Sequence, residues 1–227
     1  MRSAFYFFFL TLSAVGYCQN NLKLWYNKPS GKTWENALPI GNGRLGAMVY
    51  GNVEKETIQL NEHTVWSGSP NRNDNPEALA ALPEIRQLIF DGKQKDAERL
   101  ANKVIITKKS HGQMFQPVGN LHLTFDGHEN YTDYYRELDI ERAVAKTTYT
   151  ANGVKYTREI LASFPDRVIV MHLTANKPNS LSFIASYATL HKKRAINTTA
   201  PNELALSGTT SDHEGVKGMV NFKGISR

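Results

Sequence analysis

The sequence contains one cysteine in 227 residues, Cys18, and no apolar run long enough to cross a membrane. An internal disulfide needs two thiols, so the fold must be stabilised by burial of its core. The longest apolar run, residues 4–15, is shorter than the roughly 20 residues that a spanning helix requires. We therefore expect neither a disulfide framework nor a membrane span.

Clusters of positive charge are also scarce, although the formal net charge is +6 at pH 7. Only 108–109 and 192–194 group basic residues, and neither group is interleaved with aromatic side chains. A nucleic-acid-binding surface combines a basic patch with a recognisable module. The charge pattern instead indicates solvated surface residues, and we expect no nucleic-acid partner.

Spacings that bind metals or cofactors are missing as well. The histidines considered as ligands show no HxH or HxxxH spacing and no cysteine partner: His63, His111, His122 and His128. Residues 41–46, GNGRLG, match the dinucleotide pattern GxGxxG, but that site needs a strand before it and a helix after it. Here Pro39 precedes and a strand-like run follows. We expect no metal and no cofactor, and interpret these glycines as shaping a sheet corner.

The first 18 residues have the features of a secretory signal peptide. Met1 and Arg2 give a positive start, residues 4–15 are apolar, and Gly16 and Cys18 are small residues before Gln19. We expect export to the periplasm or the exterior, leaving 19–227 as the mature domain. Lipid anchoring at Cys18 is the less favoured alternative, because Tyr17 stands where a small residue is needed.

The rest of the chain is mainly β in character. Alternating polar and apolar residues recur, and turn residues recur every eight to twelve positions, a pattern typical of an antiparallel sandwich. Turns are predicted at 39–43, 51–52 and 152–153, and a loop at 197–202. A small helical insertion is predicted at about 76–103, with Asn75 as its cap, Pro76 in its first turn and a restart at Pro83.

Residues 38–68 form the densest run of unusual residue choices, ending in a segment that we call the signature loop, 61–68, NEHTVWSG. Trp66 either fills a core between layers, the favoured interpretation, or faces a sugar ring. Glycosidases need two suitably placed carboxyl or polar groups. The candidates show no spacing that pairs any two: Glu35, Glu56, Glu62, Asp126, Asp139, Glu159 and Asp166.

Several motifs, in order, resemble the N-terminal domain of glycoside hydrolase family 95, whose members are mostly α-L-fucosidases. They are LWYNKPSGKTWENALPIGNGRLGAMVYG, ETIQLNEHTVWSG, FQPVGNL, YYRELDIERAVAKTTY and VKYTREILASFPDRVIVMHL. The resemblance implies an antiparallel β-supersandwich followed by a helical linker, an (α/α)6 barrel and a C-terminal β domain. It also implies inverting hydrolysis by a Glu acid and a water held by Asn and Asp, all in the barrel.

This resemblance places no catalytic residue in the present chain, which we expect to be cut short before the barrel and inactive alone. It makes the signature loop a barrel-facing or substrate-entrance segment, with candidate residues Asn61, Glu62, His63 and Trp66. The expected partners are that barrel and, through the parent enzyme, fucosylated or related glycans. The alternative is a stand-alone secreted glycan-binding or interaction module.

Overall fold

A computed structural model describes residues 22–70, 72, 74–107 and 112–227. The predicted signal peptide, with Cys18, and the candidate ligand His111 lie outside the described residues. The strands within the described part are β1 Lys23–Tyr26, β2 Leu38–Gly41, β3 Leu45–Val49, β4 Lys55–Glu62, β5 Gly119–Thr124, β6 Tyr131–Asp139, β7 Val144–Ala151, β8 Val154–Ser163, β9 Val168–Ala175, β10 Ile184–Ala188, β11 Lys193–Ala200, β12 Glu203–Thr209 and β13 Asn221–Ser226.

These strands form three antiparallel sheets, which confirms the predicted mainly β fold. Sheet 1 has the order β1-β6-β7-β8-β9, sheet 2 the order β10-β5-β4-β3-β2, and sheet 3 the order β11-β12-β13. Strands β2 and β3 of sheet 2 pack across β7, β8 and β9 of sheet 1. Because side chains alternate along a strand, each sheet presents one face to the core and one outward.

The core lies between the facing sheets. In sheet 2 one row of paired residues crosses four strands, with Val49, Ile58, Leu121 and Tyr187 all buried. Ala145 and Ile160 of sheet 1 and Leu206 of β12 complete the same cluster. This alternation of buried and exposed positions corresponds to the alternation of apolar and polar residues from which the strands were predicted.

The predicted helical insertion is confirmed as a pair of helices, α1 Ala78–Phe90 and α2 Gln94–Val104. The first helix starts later than predicted, after a turn in which the Asn75 side chain accepts a hydrogen bond from the Glu77 N–H at 3.1 Å. Pro83 lies inside α1 instead of restarting the helix. Proline has no N–H, so one backbone hydrogen bond of the helix is missing, and it is missing on the exposed face where Pro83 lies. No helix in the described ranges is long and apolar enough to span a bilayer.

The turn predictions had mixed outcomes. Asn152 and Gly153 adopt positive φ and join β7 to β8 in a two-residue hairpin, as predicted. The connection at Gly51 is longer, since β3 ends at Val49 and β4 starts at Lys55.

Two other predictions were wrong. The turn predicted at 39–43 is largely strand β2, where Pro39 is tolerated because β2 is an edge strand paired only to β3. The loop predicted at 197–202 is largely β11, whose polar residues face solvent while its backbone pairs with β12.

Candidate functional site

The signature loop begins as the last two residues of β4, so its polar residues separate onto two faces. Asn61 pairs across the sheet with Gly46 and shares the outer face with Gln59 and Thr57. Glu62 continues the opposite row, that of Glu56 and Ile58. The structure therefore does not bring Asn61 and Glu62 together, although they are adjacent in sequence.

Glu62 is held by a set of hydrogen bonds. Its carboxylate accepts from Arg44 Nε at 2.9 Å, from the Thr64 N–H at 2.8 Å and from the Thr64 hydroxyl. Partial burial pushes the pKa of Glu62 upward, but the Thr64 hydrogen bonds, Arg44 and the nearby His63 outweigh this and lower the pKa. A carboxyl that stays ionised at neutral pH is poorly suited to be a general acid, so Glu62 orders the loop.

Arg44 is positioned by the glycine-rich segment at 41–46. Asn42 Oδ1 accepts hydrogen bonds from the N–H groups of Arg44 and Leu45 at 3.1 and 2.8 Å, while its Nδ2 donates to Ser163 O at 2.7 Å. Gly43 has φ +86°, in the left-handed region that suits glycine. A strand, β3, follows this turn as predicted, where a dinucleotide site would need a helix.

Trp66 lies at the surface with 44% of its area exposed, so the prediction that it fills a core is wrong. The buried positions are taken by its neighbours Val65 and Ser67, each 2% exposed. The indole N–H donates to His63 O at 2.8 Å, and the ring meets Phe115 edge-on with centroids 5.6 Å apart. Its ring is therefore fixed while part of it faces outward.

Two distant segments support this loop, and sequence reasoning missed both. Ser67 N–H donates to Met114 O at 2.8 Å, Gly68 N–H to Ser211 O at 2.9 Å, and Met219 N–H to Gly68 O at 3.0 Å. The flanking apolar side chains are largely exposed, and we call them the apolar rim: Trp66, Met114, Phe115 and Met219. No local motif signals these contacts, because the partners are more than 40 residues away.

Three of the other carboxyls proposed from sequence have structural partners. Asp139 Oδ2 lies 3.7 Å from Lys23 Nζ, and Glu159 lies 3.6 Å from Lys146 Nζ. Asp166 accepts from the Ser163 hydroxyl at 2.6 Å. Contacts of this kind are those of structural residues, and they form no acid–base pair.

Two of the histidines considered as ligands are likewise engaged individually. His122 Nδ1 lies 3.1 Å from the Thr57 hydroxyl and His128 Nδ1 lies 3.0 Å from the Tyr149 hydroxyl. Within the described residues no three His, Cys, Asp or Glu side chains are grouped closely enough to hold a metal ion. The absence of a metal and of a cofactor stays a prediction.

Comparisons with known proteins identify the family. The family described as "Glycosyl hydrolase family 65, N-terminal domain" matches residues 24–227. The chain is 41% identical over 192 residues to "Alpha-L-fucosidase 2" of Arabidopsis thaliana, covering 83% of this chain and 22% of that protein. It is 29% identical over 200 residues to "Probable alpha-fucosidase A" of Aspergillus oryzae, covering 83% of this chain and 27% of that protein.

The chain thus spans about a quarter of the length of these curated relatives. The family description carries the number 65 where the sequence resemblance pointed to 95; both denote the N-terminal domain of a glycoside hydrolase, and the relatives agree on the α-fucosidase name. The match covers nearly all of the chain beyond its first 23 residues. The chain therefore belongs to the family of glycosyl hydrolase N-terminal domains.

Proposed function

We propose that this chain is the N-terminal β domain of a secreted α-L-fucosidase-like glycoside hydrolase. The hydrolysis of terminal fucosyl or related linkages would be carried out, with inversion, by an (α/α)6 barrel encoded beyond residue 227. The identity to the Arabidopsis protein, over about a fifth of its length, supports this assignment. In this proposal the β domain braces the barrel and contributes to the substrate entrance.

The apolar rim is the observation that carries the proposal. Exposed apolar groups that lie together mark interaction surfaces, whereas single exposed apolar residues are normal and carry no such meaning. Here Trp66 and Phe115 are in contact, and both are fixed by backbone hydrogen bonds between separate loops. A surface that is apolar and already ordered binds a partner at low entropic cost. We assign the apolar rim as the surface that contacts the barrel.

The polar residues of the signature loop stand at the edge of this surface. His63 is more than half exposed, and its carbonyl holds the Trp66 indole. Asn61 lies on the adjoining outer face of sheet 2. In the proposal these two residues border the substrate entrance, while Glu62 keeps the loop in shape through Arg44 and Thr64.

The test uses the product of the gene read through Arg227, assayed for release of L-fucose from 2′-fucosyllactose. Trp66→Ala should lower both the melting temperature and kcat/KM, because it removes the centre of the interface with the barrel. Trp25→Ala is the matched control, since Trp25 is also exposed but lies on the outer face of sheet 1. Equal effects of the two substitutions would contradict the proposed interface.

A further inference from the structure

The outer face of sheet 2 carries a row of uncharged polar side chains next to the signature loop. Gln59 of β4 pairs with Asn120 of β5, and Thr57 pairs with His122. Asn61 continues the same face at the end of β4. We call these five residues the polar platform: Thr57, Gln59, Asn61, Asn120 and His122.

The platform is neutral, in contrast to the outer face of sheet 1. There, Lys146 and Glu159 form an ion pair between two strands, and His172 lies beside Glu159 on a third. Lys55, at the end of β4, is a formal charge close enough to act on His122. Burial and the charge on Lys55 lower the pKa of His122, which favours its neutral imidazole.

The amides of the platform have hydrogen-bonding capacity to spare. Among the described residues the side chains of Asn61 and Asn120 have no hydrogen-bond partner. Gln59 uses its carbonyl oxygen to accept from Trp34 Nε1 at 2.7 Å. Each amide offers both donors and an acceptor, so together they suit a ligand whose groups also do both.

Trp34 adds an aromatic surface beside these amides. Its hydrogen bond to Gln59 fixes the indole against the platform, and 51% of the residue is exposed. Gly41 and Gly46 lie in the same row as Asn61 and carry no side chains, so the approach to that amide is open. An exposed aromatic ring beside neutral amides presents an apolar face and hydrogen bonds to one ligand.

We propose that the polar platform, with Trp34, binds a neutral oligosaccharide. The C–H faces of a sugar pack on an indole, and its hydroxyls both donate and accept, which matches the amides. A phosphate-bearing ligand would need cations, which the platform lacks. The choice of a sugar as ligand rests on the proposed function, whereas the location rests on the geometry of sheet 2.

The experiment is an NMR titration of the isotopically labelled 227-residue chain with 2′-fucosyllactose, and separately with lactose. The side-chain amide signals of Gln59, Asn61 and Asn120 and the Trp34 indole signal should shift with a common Kd, on the order of 1 mM. Asn120→Ala should weaken binding about fivefold, the loss expected for one hydrogen bond of ordinary net strength. Asn197→Ala on exposed β11 makes the same chemical change elsewhere and should leave Kd unchanged.

Comparing the titrations with 2′-fucosyllactose and with lactose distinguishes recognition of the fucose from recognition of the lactose part. Chemical-shift changes with either sugar support binding at the polar platform. Absence of shifts with both sugars at about tenfold the expected Kd, or an unchanged Kd in Asn120→Ala, would overturn the inference. Binding by the chain that is lost in the longer gene product would overturn it too, because the platform would then be covered. If that product released no fucose while the shifts persisted, the proposed function alone would fail.

Discussion

Arg158 and Glu56 form an ion pair inside the sandwich, with Nη1 and Oε2 3.3 Å apart and side chains only 2% and 1% exposed. The guanidinium also donates to Asn52 O and Val53 O, both at 2.6 Å, and stacks over the Phe125 ring. Burial raises the pKa of Glu56, and Arg158 with two backbone N–H donors opposes that rise. This pair ties the β3–β4 connection to β8.

Replacing Arg158 by Met should therefore destabilise the chain strongly. Removing one partner leaves a buried carboxyl and two carbonyls without their donor, which costs about 3–5 kcal/mol. Lys146→Met, on the outer face of the same sheet and paired with Glu159, should cost less than about 1 kcal/mol. Urea unfolding measures both, and similar losses would show that the buried pair has no special role.

Comparing substitutions at Gly51 and Gly31 distinguishes the cost of backbone strain from the cost of steric overlap. Their φ values are nearly equal, +68° and +67°, but a Cβ on Gly51 would lie 2.8 Å from Tyr134 Oη, while one on Gly31 would meet nothing within 4 Å. Gly31→Ala should cost about 1 kcal/mol from strain alone. Gly51→Ala should cost about 2–4 kcal/mol, because overlap with Tyr134 and Arg136 adds to it. Equal losses in thermal unfolding would refute the overlap.

Glu62 should make the free energy of unfolding depend on pH in the acidic range. Its folded pKa lies below the ordinary value of 4.5, so its contribution is fully present above that value and is lost as pH falls through the folded pKa. Glu62→Gln should thus be less stable than the parent by about 1 kcal/mol at pH 7, with the difference disappearing in strong acid. A difference that persists unchanged at pH 2 would contradict the assigned ionisation.

The helical insertion is the element that depends least on the rest of the fold. Its buried residues, Ile85, Ala97 and Val104, form a cluster separate from the sandwich core. Asn75 Nδ2 donates to Ile106 O at 3.4 Å at the base of the pair. Such a unit can open locally while the sheets stay folded.

Ile85→Ala should accordingly act on the insertion alone. The cavity should cost the helix pair about 2–4 kcal/mol, seen as faster hydrogen exchange in α1 and α2 with unchanged protection in β4 and β5. Leu79→Ala in the same helix is the control, because Leu79 is 80% exposed. Uniformly faster exchange across both sheets would show that the helices and the sandwich unfold together.

The elements also show what a sequence can and cannot predict. The periodicity of apolar residues predicted the helix pair and most strands, and the Asn152-Gly153 pair predicted the β7–β8 hairpin. These features depend on residues that are close together in sequence. β11 was missed, since its polar residues match a loop and only its pairing with β12 makes it a strand. The rim around Trp66 depends on Met114 and Met219, brought together by the fold, so no local pattern could find it.

At the scale of the whole molecule, both facing sheets end in strands with exposed apolar residues. Val168 and Val170 of β9 are about two-fifths exposed, and Ile184 of β10 is 71% exposed. Open edges and apolar surface are features that proteins usually cover. Together with the apolar rim, they agree with the proposal that this domain functions as part of a longer enzyme.

The motifs predicted the family at this scale but no catalytic residue. Several of the candidate carboxyls are engaged in salt bridges and hydrogen bonds, as with Glu62 and Arg44 or Glu56 and Arg158. A structural contact of this kind leaves no signal in sequence, because the partners are 18 and 102 residues apart. The assignment of catalysis to a barrel is part of the proposed function, and a direct assay tests it.

That assay measures L-fucose released from 2′-fucosyllactose by the purified 227-residue chain and by the longer gene product under identical conditions. We predict catalytic release by the longer product and none above background by the chain alone, at equal molar concentration. Catalytic release of fucose by the chain alone would contradict the central claim that this domain supports catalysis without performing it.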